Sequence, residues 1–144
     1  MRFSIFAFCC YLFLSGCTSK TDLCEATDCD APMAQLRVKY LDEDGNNLLN
    51  NYSQNSIVIT SSLGHNVISM IDSTDQNNPI LLLFAGSDQT YSVKMPGYAP
   101  DKIYVRTIKS KAVCCASIQV HEIRLNSQLI CGSCKGGQML IIKK

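Results

Sequence analysis

Cys131-Gly132-Ser133-Cys134 places two sulfurs three positions apart. They are close enough to share a disulfide, to cycle between thiol and disulfide, or to hold one side of a metal. Cys114 and Cys115 are adjacent, and Cys24 and Cys29 lie near the start of the chain. With Cys131 and Cys134, the adjacent pair makes a formal four-thiolate zinc set, although neighbouring cysteines are poor tetrahedral ligands. A redox-active pair needs a depressed thiol pKa, commonly supplied by a helix N-terminus. Here Gly136-Gly137 would break a helix at once.

The other chemistry-bearing residues are sparse. Asp42, Asp44 and Asn46 alternate as in a calcium loop, but the glycine falls at the fourth place (Gly45) and Ser53 stands at the twelfth. An EF-hand needs glycine at its sixth place and glutamate at its twelfth, so a hairpin turn is the better expectation. His65 and His121 are isolated, and structural roles are expected for both. There is no G-x-S-x-G, H-E-x-x-H, P-loop or paired-carboxylate pattern. The residues thus point to no catalytic site, cofactor or metal. Tyr91, Tyr98 and Tyr104 cluster in sequence, and the expectation is that they cover the core edge rather than form a stacking patch.

The N-terminus carries the most specific signal. Arg2 precedes an apolar run, Phe3 to Phe13, broken only by Ser4, and Leu14 extends it. Eleven helical residues rise roughly 16 Å, too short for a hydrocarbon core of about 30 Å, so a signal peptide fits better than a membrane span. Leu14-Ser15-Gly16-Cys17 follows and resembles the bacterial lipoprotein lipobox. The resemblance implies cleavage after Gly16, lipidation of Cys17 and anchoring in the bacterial cell envelope. Two or more acyl chains would hold it stably. Thr18, in place of the aspartate that retains such proteins at the inner membrane, favours the outer membrane.

Cleavage removes Cys9 and Cys10, and lipid occupies Cys17. Cys24, Cys29, Cys114, Cys115, Cys131 and Cys134 remain, an even number in an exported chain, which reads as a disulfide framework. Adjacent Cys114 and Cys115 would be strained as a pair. The expectation is Cys24 with Cys29, and Cys114 and Cys115 joined to Cys131 and Cys134 in either order. The alternative is redox chemistry, since Cys131-Gly-Ser-Cys134-Lys135 resembles the Cys-Gly-Pro-Cys-Lys site of thioredoxins. The zinc set is a further alternative.

Removing 16 of the 144 residues leaves 128, enough for one domain with a real core. Loss of Arg2 balances 12 basic against 12 acidic residues, which gives no bias toward nucleic acid. The charge is uneven along the chain. Residues 17–90 hold ten Asp and Glu against three Lys and Arg, while residues 91–144 hold two against nine. Lys94, Lys102, Arg106, Lys109 and Lys111 could build a basic face. The expectation is that the two halves interleave as neighbouring strands and offset each other.

Residues 17–34 read as a flexible tether, rich in Ser, Thr, Asp and Glu, and residues 35–144 as the folded domain. Leu36, Val38 and Tyr40 alternate with Arg37 and Lys39, a half-buried strand. Further strands are expected at 57–60, 67–71, 80–84, 91–95, 103–108 and 118–125, with a possible last one at 139–142. Ile118 and Val120 share one parity while Ile123 and Leu125 share the other. A bulge near His121–Glu122 would bring all four to the core. No sustained helical period appears after residue 36. About seven strands joined by turns predict an all-β, antiparallel Greek-key sandwich.

Residues 38–49 (VKYLDEDGNNLL) and 91–98 (YSVKMPGY) resemble the first strand and turn, and the strand followed by Gly-Tyr, of carboxypeptidase-regulatory-like domains. These are transthyretin-like sandwiches, and the chain as a whole is similar to small Bacteroidota envelope lipoproteins. The resemblance implies a non-catalytic binding or scaffold module. Its expected partners are the membrane, through the anchor, and an envelope protein or glycan.

Overall fold

The computed structural model describes residues 32–64, 67, 69–110, 115–134, 137 and 139–144. The leader, Cys17, most of the tether, Cys24, Cys29, His65, Lys111 and Cys114 lie outside these residues.

Strand β1 (Ala34–Leu41) follows the expected alternation: Leu36, Val38 and Tyr40 are buried, while Gln35, Arg37 and Lys39 face the other way. The acidic turn ends it. Asp42 accepts hydrogen bonds from the backbone N–H of Asn46 at 2.7 Å and from its side-chain amide at 3.0 Å. Those bonds hold the Asp42 carboxyl below the usual range. Gly45 sits at φ +87°, a conformation glycine adopts without a Cβ penalty. Asn47 then caps a short 3-10 helix, Leu48–Asn51, by accepting from the Leu49 N–H, and its amide donates to the Pro79 carbonyl at 2.8 Å.

The remaining strands are β2 (Val58–Ser61), β3 (Ser69–Asp72), β4 (Ile80–Ala85), β5 (Gln89–Lys94), β6 (Asp101–Lys109), β7 (Ile118–Leu125), β8 (Gln128–Cys131) and β9 (Met139–Lys143). They form two sheets, ordered β3-β4-β1-β9 and β2-β5-β6-β7-β8. The all-β sandwich is as expected, with nine strands rather than seven. β1 pairs with β4, and β2 with β5, across intervening strands, the non-local pairing of a Greek-key arrangement. The expectation of a wholly antiparallel fold fails at one place. β9 runs parallel to β1, from Arg37↔Met139 to Leu41↔Lys143. β8 returns the chain toward the end where β1 begins, so β9 sets off in the direction of β1.

β8 is the unexpected strand. Leu129 and Ile130 are both exposed, so it shows no alternation. Asn126 and Ser127, at φ 49° and 74°, make the tight turn that folds it back on β7. The expected bulge is present. Arg106 pairs with Glu122 and Thr107 with Val120, leaving His121 as the extra residue. Ile118, Val120 and Ile123 are accordingly buried, and Leu125 packs against the core.

Two polar contacts tie the sheets together. At one end Asp101 of β6, buried at 3% exposure, receives Lys144 Nζ at 2.6 Å and the Asn126 amide at 3.1 Å. Tyr40 of β1 faces the same carboxylate, and burial and that charge push its phenol far up. At the other end the Tyr91 hydroxyl donates to the Phe84 carbonyl at 2.7 Å, and the Gln89 amide donates to it at 2.6 Å. Burial pushes Tyr91 up to about 12, against the smaller lowering effect of Gln89.

Two outcomes follow. Lys144→Met leaves Asp101 buried without its cation and should cost about 3 kcal/mol in denaturant unfolding. Adding Asp101→Asn should recover much of that, because no unpaired charge remains. The raised Tyr91 pKa also stabilises the fold fully below the unfolded value near 10, and that contribution fades as pH rises through about 12. Stability measured from pH 10 to 12 should therefore fall more steeply in the wild type than in Tyr91→Phe.

Candidate functional site

Four of the five strands of the larger sheet come from one stretch of sequence, β5 to β8. This meander corrects the expectation that the basic and acidic halves interleave. The basic half folds mainly into one sheet, and strand alternation decides which of its residues face out. Ile103 and Val105 of β6 are buried, so Lys102, Tyr104 and Arg106 share the outer face. Tyr91 and Val93 of β5 are buried, which turns Lys94 outward. On β7, Ile123 points in and Glu122 and Arg124 point out.

Register brings these side chains together. Tyr104 pairs with Arg124, and Arg106 with Glu122. Arg124 Nε lies 2.6 Å from Glu122 Oε1, and Arg106 Nη1 lies 4.0 Å from Glu122 Oε2. One carboxylate, only 14% exposed, is thus shared by two guanidiniums that are each about half exposed. Asp88 beside them supplies a second carboxylate, so the excess positive charge of the face comes from Lys94 and Lys102. With Asp88 these residues line a shallow open depression. Asp88 is engaged at its edge, where it accepts from the Thr107 N–H at 2.7 Å and its hydroxyl at 3.2 Å. Such a surface can bind an anion through arginine forks and offer an aromatic ring and acceptors beside them.

Of the basic residues singled out in the sequence, Lys94, Lys102 and Arg106 share this face, with Lys94 toward the end away from Arg106. Lys109 has the opposite parity to Arg106 and leaves it. Arg124 and Glu122 were missed, although the bulge expected at His121 already implies that both point outward. The three tyrosines do not form a patch. Tyr91 is in the core, Tyr98 packs against it, and Tyr104 alone faces out.

The cysteines depart from the expected pairing. Cys131 and Cys134 are bonded to each other, not to Cys114 and Cys115. Cys115 is itself disulfide-bonded. The reason is local. The chain turns immediately after β8, bringing the two Cα atoms to 5.5 Å, within ordinary disulfide range. The Cys134 N–H also donates to the His121 carbonyl at 2.8 Å, which docks the loop on the β7 bulge. A closed Cys131–Cys134 pair offers no thiolate to a metal. Among the described residues no group of three or more His, Cys, Asp and Glu lies together as metal ligands.

Cys134 also borders a crevice of about 190 Å³ between the sheets, lined mainly by Ala34, Leu36, Ile118, Val120 and Ile123. It is chiefly apolar, and its one sulfur is already in a disulfide.

No known protein family, curated protein or solved structure matches this chain.

Replacing Cys131 and Cys134 by serine together opens a four-residue loop. It should lower stability by at most about 2 kcal/mol on the loop-entropy scale. Chemical denaturation of the double variant beside the wild type measures it.

Proposed function

We propose that this protein is an envelope lipoprotein, anchored through Cys17, whose domain is a non-catalytic binding module. It meets its partner with the outer face of the larger sheet. The observation that carries the reading is that Lys94, Lys102, Arg106 and Arg124 share one outer face with Tyr104, four cations against the two carboxylates Glu122 and Asp88. The lipobox-like Leu14-Ser15-Gly16-Cys17 supports the anchor, and Thr18 supports the outer membrane. Rigid strands suit a contact surface of this kind, because they hold side chains in place without an ordering cost at each encounter.

The bond between Cys131 and Cys134 favours a second reading, a thiol–disulfide oxidoreductase. The pairing is the one such an enzyme needs. Against it, the loop follows a strand, and the Cys134 N–H is committed to the His121 carbonyl. No α-helix among the described residues is placed to lower a thiol pKa.

The test is retention on envelopes from cells lacking the protein. Wild-type chain should bind them and be released by salt. Arg106→Glu with Arg124→Glu should bind at least about fivefold less, since charge reversal on the face replaces attraction by repulsion. Equal retention of the two would sink the face as the contact surface. Loss of insulin-reducing activity in a Cys131→Ser variant, were the wild type to show any, would put the redox reading first.

A further inference from the structure

We infer that the ligand of this face is an acidic polysaccharide, a chain of sugars bearing carboxylates, rather than an acidic protein. The inference rests on the reading above that the outer face of the larger sheet is the contact surface.

The distribution of apolar and charged groups decides between the two. A protein–protein interface has an apolar centre and a polar rim. This face is built the other way round. Val58 on edge strand β2, Leu129 and Ile130 on edge strand β8 and Ile108 near the end of β6 are the exposed aliphatic residues of the larger sheet, 56%, 53%, 47% and 45% exposed. Three of them face outward by register: Val58 pairs with outward Lys94, Leu129 with outward Arg124, and Ile108 shares the parity of Arg106, while Ile130 is the extra residue where the β7–β8 register shifts. They lie at the margins. The centre holds Lys102, Tyr104, Arg106, Glu122 and Arg124. A protein partner would have to desolvate several charges in the middle of the patch, the costliest place. A hydrated polymer leaves them largely in water.

The central residues match such a polymer group by group. Lys102, Tyr104 and Arg106 follow one another on β6 at every second residue, roughly 6.6 Å apart, so cations and ring lie along a line. Arg124 stands one strand away from Tyr104, about 4.8 Å across. Each arginine has exposed N–H groups beyond those turned to Glu122, suited to a sugar carboxylate. Tyr104 offers an apolar ring for a sugar face together with a hydroxyl. Asp88 and Glu122 supply acceptors for sugar hydroxyls; Thr107 holds Asp88 by hydrogen bonds, and the two arginines offset the charge of Glu122.

The experiment uses the full chain in non-ionic detergent with three polymers: polygalacturonate, uncharged dextran and polyglutamate. Polygalacturonate should bind at about 0.1 M salt and weaken at least about tenfold toward 1 M, where the Debye length falls to about 3 Å. Dextran should not bind, and polyglutamate should bind more weakly. Arg106→Gln and Arg124→Gln should each weaken polygalacturonate about fivefold. Tyr104→Leu should weaken polygalacturonate but leave polyglutamate unchanged, and unaltered thermal unfolding midpoints would show that these surface variants fold. Polyglutamate binding as tightly as polygalacturonate, with Tyr104→Leu silent, would overturn the polysaccharide and point to an acidic protein on the same face. Failure of both polyanions to bind, with envelope retention still dependent on the arginines, would also overturn it alone. Failure of both together with arginine-independent retention would bring down the underlying reading as well.

Discussion

A single buried carboxylate holds one end of this sandwich together. Asp101 opens β6 in the larger sheet, yet its partners come from elsewhere, Lys144 just beyond β9 and Asn126 in the β7–β8 turn, and Tyr40 on β1 lies close enough to feel its charge. Burying a carboxylate is unfavourable unless a cation and hydrogen bonds replace its water. Here those replacements exist only when both sheets, the last strand and the β7–β8 turn are all in place. The same turn is fixed by Asn126, which exchanges backbone and side-chain hydrogen bonds with Lys102. The Lys144 N–H also donates to the Leu41 carbonyl, which continues the parallel β1–β9 pairing. A polar contact in the core thus specifies register, where apolar packing alone would tolerate a slip.

What the sequence made legible follows from which forces are local. The alternation at Leu36, Val38 and Tyr40, the Asp42–Asn46 turn and the phase change at His121 are local patterns, and each reappears in the structure. β8 escaped notice because both its aliphatic side chains are exposed, so burial imposed no period on it. The parallel course of β9 and the partner of Asp101 depend on contacts between residues far apart in the chain. No window of sequence contains them.

The candidate face was half legible for the same reason. Lys94, Lys102 and Arg106 stood out as a run of basic residues, but their convergence depends on the meander of β5 to β8, a matter of topology. Had successive strands alternated between the sheets, the same charges would have been split between two surfaces. The sequence asymmetry becomes a spatial one because this stretch stays in one sheet.

The bulge links the cysteines to that face. A strand alternates strictly, so without an extra residue Glu122 would share the parity of Ile118 and Val120 and point into the core. His121 adds the extra residue, and from there on Glu122 and Arg124 turn outward while Ile123 turns in. A bulge in a sheet re-aims side chains in this way at the cost of a locally broken ladder. Here the His121 carbonyl is answered by the Cys134 N–H, and Cys134 is in turn bonded to Cys131 at the end of β8. The disulfide therefore lies outside the charged depression yet helps to fix the backbone irregularity that creates it. That gives the Cys131–Cys134 pair a structural purpose that requires no turnover: it holds the bulge, and the bulge sets the carboxylate between the two arginines.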